Sequence, residues 1–194
     1  MNPGIGSTEQ DAPDLDGMDA AVLGHGLPVE AERLIARAGL IRNQVREAQT
    51  LLEAAWQLAP KHPATLIALY RFHFYGNRLA EAREIAMLAL AMASSALGIP
   101  QDWSDVRPGP RFTALEALPR FYLFSLKGFA YLSLRLGEID LGRAVVQKLA
   151  ELDPQNRVGH AVLAEVIARI GREDADYEDC GDEPAASLPR GAKP

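Results

Sequence analysis

The sequence predicts an all-α protein built from repeated pairs of antiparallel helices, and three observations support this prediction. The apolar residues are mostly Ala and Leu, which favour helix over strand. The segment 43–48 (NQVREA) recurs at 77–82 as NRLAEA, an offset of 34 residues. Pro60 and Pro154 stand where the second helix of a pair should stop.

The 34-residue register divides the chain into units. The first covers 29–62, the second starts at Pro63, the third covers 123–156, and a closing helix follows from 157 to about 172. One pair cannot bury its own apolar face, so neighbouring pairs must stack. Small residues are expected where helices approach closely, and Gly137 is expected to form a tight turn. The small residues are Ala36, Ala48, Ala82, Ala130, Gly142 and Ala164.

An insertion of about 26 residues separates units two and three, because their starts are 60 residues apart (123 minus 63) instead of 34. The second helix of unit two should continue to about Leu97. The Pro- and Gly-rich segment 98–118 should then be irregular, with one helical turn at 113–118. Pro119 suits the first turn of the next helix.

Acidic segments flank the repeats, which we expect to form one domain at 21–172. Residues 1–20 carry five acids and no base, and 173–194 are similarly acidic; both are predicted to be disordered tails. The N-terminus lacks the features of a signal peptide, and the longest uncharged apolar run, 85–99, is too short to cross a membrane. With Cys180 as its single cysteine, the chain is predicted to be cytoplasmic.

The sequence contains no motif typical of an enzyme. It has no phosphate-binding glycine loop, no GxSxG, no HExxH and no CxxC, and its histidines are dispersed. We therefore expect no catalysis, no cofactor or metal, and no small-molecule substrate. His73 is expected to have a packing or groove role. Residues 21–171 carry 17 basic against 14 acidic residues, a balance of +3, which is too weak to indicate nucleic-acid binding.

Two stretches, LLEAAWQLAPKHP (51–63) and LGEIDLGRAVVQKLAELDPQN (136–156), resemble tetratricopeptide repeats. Tyr70 departs from the pattern, since its position is usually occupied by a small residue. The resemblance implies a right-handed superhelix of about three helix pairs, with the first helix of each pair lining a groove. The alternative is an unrelated antiparallel helical bundle.

The resemblance also implies which residues face the groove. They combine positive charge with aromatic rings, the residue types enriched at binding hot spots. The alternative is that the aromatic residues belong to the core and the arginines are simply solvated. The implied groove residues are Arg33, Arg37, Arg71, Phe74, Tyr75, Phe124, Lys127, Tyr131 and Arg135.

The predicted function is that of an adaptor or assembly factor that binds a larger protein. Residues 107–144 are also similar to small tetratricopeptide-like proteins associated with bacterial nitrogen-fixation gene sets. That similarity implies a nitrogenase component or a maturation protein as the partner. The alternative is a regulatory or scaffold protein of another bacterial pathway, such as secretion or signalling.

Overall fold

The computed structural model describes residues 26–114 and 116–169, and those residues confirm the predicted all-α class, with helices and no strand among them. The predicted tails at 1–20 and 173–194, with Cys180, lie outside this range. No helix in the described part is long and apolar enough to cross a membrane. The helices are α1 (Val29–Leu40), α2 (Val45–Leu58), α3 (Pro63–Tyr75), α4 (Leu79–Leu97), α5 (Pro110–Thr113), α6 (Ala117–Arg135), α7 (Ile139–Leu152) and α8 (described residues 161–169).

The helices form the three expected pairs, α1–α2, α3–α4 and α6–α7, followed by the closing helix α8. The turns inside the second and third pairs are built identically. Arg78 N donates to His73 O and Glu138 N donates to Ser133 O, each at 2.9 Å. The left-handed residue that ends the first helix is Asn77 in one turn and Gly137 in the other. The two turns are 60 residues apart, so they confirm the predicted register across the insertion.

Most of the predicted small contact positions are buried, but two are not. Ala48, Ala82 and Ala130 are fully buried, and Gly142 is buried as well. Ala36 and Ala164 are exposed, so their prediction was wrong. Both lie on α1 and α8, the first and last helices of the described residues, where only one side faces another described helix pair. The repeat position alone does not indicate how much of a helix its neighbours bury.

The insertion is an ordered connection fixed to the core. Gly98, in the left-handed conformation, ends α4 directly after Leu97, as predicted. A 3₁₀ turn (Trp103–Asp105) and α5 follow, and they bury Val106 and Phe112. The helical turn predicted at 113–118 is instead α5, because Pro110 stands at the first helical position. Pro119 does lie in the first turn of α6.

Helix α6 is the centre of the core. It begins at Ala117, six residues before the predicted start of unit three, and it is buried on nearly every side. Helices α4 and α7 are its main neighbours. Gly142 lets α7 approach α6 closely, since a Cβ at that position would lie 2.6 Å from Cγ of Leu134.

Replacing Gly142 with Ala should therefore destabilise the protein by roughly 1–3 kcal/mol, because Leu134 is buried and cannot move aside freely. Gly39→Ala is the matched control, since a Cβ at Gly39 meets nothing within 4 Å. That variant should be neutral or stabilise the protein by up to about 1 kcal/mol through helix propensity. Urea denaturation measures both changes, and equal stability of the two variants would contradict the α6–α7 packing.

Candidate partner-binding groove

The predicted groove residues lie on the first helices of the three pairs, α1, α3 and α6. On α1, Arg33 and Arg37 are both exposed to solvent. Arg33 Nη1 lies 3.5 Å from Glu30 Oε2, one helical turn away. An exposed pair of this kind contributes little to stability, so it leaves the arginine available to a partner.

An aromatic cluster joins α3 to α6. Tyr70 and Phe74 are stacked with ring centroids 5.7 Å apart, and Phe74 lies 5.7 Å from the Tyr131 ring on α6. The Tyr75 ring meets the edge of Phe74 at 5.4 Å. Exposure increases along this cluster: Tyr70 is buried, Phe74 is half-buried and Tyr75 is 62% exposed. Tyr75 is therefore the ring that this cluster presents to solvent.

The other two predicted aromatic residues belong to the core. Phe124 and Tyr131 are each only 7% exposed, so the expectation that they anchor a partner needs correction. Phe124 lines the same small crevice as Leu66 and Ile67 of α3, and Tyr131 lies against Phe74. The alternative interpretation, in which aromatic residues are core, holds for these two rings. Both rings belong to the core cluster that joins α6 to α3, α4 and α7.

The basic residues of α6 form a stripe along the helix, and they differ in the hydrogen bonds that they make. Arg135 is half-buried, and its Nη1 donates to the Tyr131 hydroxyl at 2.8 Å. Lys127 Nζ donates to the Val158 carbonyl at 2.7 Å, so it holds the segment before α8, a role that was not predicted. Arg120 extends the stripe by two turns. The predicted unit three begins only at Leu123, so the sequence prediction does not include Arg120. Arg120 lies four residues before Phe124, and this spacing indicates that both residues share one face of the helix.

Arg71 on α3 completes the predicted set. It is half-buried and makes contacts of its own, so it is less accessible than Arg33 or Arg37. The structure thus brings Phe74, Tyr75, Tyr131 and Arg135 together in one contact network. Arg33 and Arg37 are exposed to solvent on α1, the first helix of the first pair.

Tyr70 fills a position where most repeats have a small residue, and Gly128 provides the room. A Cβ at residue 128 would lie 3.0 Å from the Tyr70 hydroxyl oxygen. That hydroxyl has no hydrogen-bond partner. Burial raises the pKa of Tyr70 far above its usual range, with smaller contributions from the nearby Tyr131 and Tyr75. The tyrosine stays neutral and acts as a packing residue.

His73 has a structural partner in the α3–α4 turn. Its Nδ1 accepts a 3.1 Å hydrogen bond from Arg78 Nε, while Arg78 Nη2 donates to the Phe72 carbonyl at 2.9 Å. The Arg78 guanidinium also lies 4.3 Å from the centre of the Phe72 ring. Burial, followed by the Arg78 charge, lowers the pKa of His73, and Glu81 and Glu84 oppose that shift. The packing role predicted for His73 agrees with this geometry.

The crevice that adjoins the groove residues is small. The crevice between α3, α4 and α6 has a volume of about 20 Å³, whereas small-molecule pockets measure roughly 300–1,000 Å³. Within residues 26–114 and 116–169, no three His, Cys, Asp or Glu side chains are placed to hold a metal ion. The chemistry of the groove face therefore depends on its exposed side chains.

Comparisons with known proteins agree with this architecture. A tetratricopeptide-repeat family model matches residues 39–96, which cover α2, α3 and α4. An uncharacterised 19.8 kDa protein in the nifW 5′ region of Azotobacter chroococcum mcd 1 is 38% identical over 166 residues. That alignment covers 82% of this chain and 92% of the relative. No solved structure matches the chain.

Replacing Tyr70 and Tyr131 with Phe should have opposite effects. Tyr70→Phe removes a buried hydroxyl without a partner, so it should stabilise the protein by up to about 1–3 kcal/mol. Tyr131→Phe removes the acceptor of Arg135 and should cost about 0.5–1.5 kcal/mol. Chemical denaturation measures both, and each variant serves as the size-matched control of the other. A loss of stability in Tyr70→Phe would show that its hydroxyl has a partner.

Acidification should weaken the α3–α4 turn through His73. Its pKa is lower in the folded protein than in the unfolded chain, where it is about 6.5. The unfolded chain therefore takes up the proton first, and stability falls as pH drops below about 6.5 through the folded-state pKa. His73→Gln should show a smaller decrease in Tm between about pH 7.5 and about pH 5 than the wild type does. Identical decreases would contradict the assignment.

Proposed function

Because the chain belongs to the tetratricopeptide-repeat family, we propose that it is a non-catalytic adaptor or assembly factor that binds a larger protein through the groove face of α1, α3 and α6. Helical repeats of this kind use extended surfaces to bind other proteins. The proposal rests on one observation above all: Tyr75 is 62% exposed, yet its ring is held in place by the aromatic cluster behind it.

The groove chemistry favours an acidic partner segment that carries an apolar side chain. A fixed aromatic ring loses little conformational freedom on binding, and it can anchor such a side chain. Arg33 and Arg37 are exposed on α1, and Arg135 is half-exposed on α6. Exposed positive charges raise the rate of encounter with an acidic segment. Tyr131 supports the groove from within, since its ring lies against Phe74 and its hydroxyl accepts from Arg135.

The name of the Azotobacter relative supports a role in nitrogen fixation, because it places that protein in the nifW 5′ region. We propose a nitrogenase component or a maturation protein as the partner of this chain. A cytoplasmic location is part of the same proposal, in keeping with the single cysteine. Capture of the partner from native cells, followed by identification by mass, distinguishes this pathway from secretion or signalling.

Two substitutions on the groove face test the binding surface. Tyr75→Ala removes the exposed anchor and should reduce affinity by roughly 2 kcal/mol or more if it is a hot spot. Arg37→Glu reverses an exposed charge and should mainly slow association, with a larger effect at low salt. Titration calorimetry and stopped-flow mixing with the captured partner measure the two effects.

The matched control is Arg46→Glu, which reverses an equally exposed arginine on α2, outside the groove. It should leave both affinity and association rate unchanged. If Tyr75→Ala and Arg37→Glu both bind as tightly as the wild type, the groove is not the binding surface. Circular dichroism of each variant checks that the helices are intact.

A further inference from the structure

The outer face of α4 is unlike the outer faces of the other second helices. On α2 the exposed positions include Arg46, Glu47 and Glu53, and on α7 they include Asp140 and Arg143. These charged residues are typical of a helix side that stays in water.

From residue 85 to its end at Leu97, by contrast, α4 has no charged residue. Met87 and Leu88 are 44% and 46% exposed there, and Ala91 and Ser95 are exposed beside them. An uncharged, partly apolar helix face of this kind suits contact with another protein.

Five exposed residues of α4 form one straight seam. Glu81, Leu88 and Ser95 are seven residues apart, and Glu84 and Ala91 fall between them at the same spacing. This is the heptad spacing that keeps one face of a helix directed at a partner helix. The buried residues Ala82, Ala86, Ala89 and Ala93 lie on the opposite side of α4. The seam is therefore separate from the core contacts of the helix.

Charged groups lie at both ends of the seam. Glu81 and Glu84 are exposed at the start of α4. At its end, Arg111 is exposed and its Nη1 donates to the Leu97 carbonyl at 2.8 Å. The exposed carboxylate of Asp102, in the segment after α4, accepts both the N–H and the hydroxyl of Ser104. Gln101 lies against Ser95 and adds no charge.

We infer that this seam is a two-fold interface between two copies of the chain, with the two α4 helices packed antiparallel. An antiparallel arrangement sets the acidic start of one helix against the end that carries Arg111 in the other. With the two-fold axis midway between residues 88 and 91, Leu88 packs against the partner's Ala91, a large residue on a small one. Glu84 then faces the partner's Ser95, and Glu81 faces the partner's Gly98 beside Arg111.

A second copy of the chain fits this seam, because the seam is complementary to itself under two-fold rotation. An isologous interface requires such self-complementarity. The small residue at 91 allows the helices to approach closely near the two-fold axis. A parallel arrangement would instead place Glu81 and Glu84 against the same residues of the other copy. This inference does not depend on the proposed groove, since the seam residues belong to α4 and the groove residues to α1, α3 and α6.

Sedimentation velocity of the full chain over a wide range of concentrations tests the inference. The wild type should show a concentration-dependent dimer. Leu88→Glu should be monomeric where the wild type is dimeric, because it places two carboxylates near the axis. Leu40→Glu is the matched control, since Leu40 is 87% exposed on α1 and off the seam; it should keep the dimer. A monomeric wild type, or a Leu88→Glu dimer, overturns the inference.

A charge exchange tests the antiparallel direction. Glu81→Arg and Arg111→Glu should each weaken the dimer, and the double variant should restore it, because the opposite charges again face each other. Circular dichroism confirms that each variant is folded. A double variant no stronger than either single variant overturns the antiparallel arrangement. Partner binding measured on the Leu88→Glu monomer separates failure of this interface from failure of the groove.

Discussion

The burial of α6 on nearly every side is the constraint on which the rest of the structure depends. A helix that is apolar around most of its circumference needs cover from several neighbours at once. Helices α4 and α7 supply most of that cover, and α3 and the insertion complete it. The polar surface left on α6 is the stripe of Arg120, Lys127 and Arg135. The positive side of the proposed groove is thus the part of α6 that its neighbours cover least.

The contact between Tyr70 and Gly128 shows how unit two meets unit three despite the insertion. A tyrosine at a usually small position would separate two repeat helices, but Gly128 removes the side chain opposite it. The Tyr70 ring then reaches α6 and stacks on Phe74, which in turn holds Tyr75. The cost is a buried hydroxyl without a partner. A departure from the repeat pattern therefore supports the exposed anchor of the proposed groove.

Local signals made much of the fold predictable. The 34-residue offset located the helix pairs, and Gly98 and Gly137 marked ends that depend on backbone conformation. The predictions that were wrong or incomplete concern contacts between helices. Repeat position indicates which way Phe124 and Tyr131 point, but not that both rings belong to the core cluster. Lys127 bonds a carbonyl 31 residues away, and no local pattern encodes such a contact. Arg120 was missed because α6 begins before the repeat does.

The two proposed surfaces differ in chemistry because they belong to different layers of the fold. The proposed groove belongs to the layer of first helices, whose exposed arginines and fixed aromatic ring suit an acidic segment. The α4 seam lies on the layer of second helices and is uncharged along its centre. Pairing through α4 leaves the grooves of both copies open, so a dimer would offer two equivalent sites. A partner that is itself two-fold symmetric could then engage both, and the second contact would form at high effective concentration.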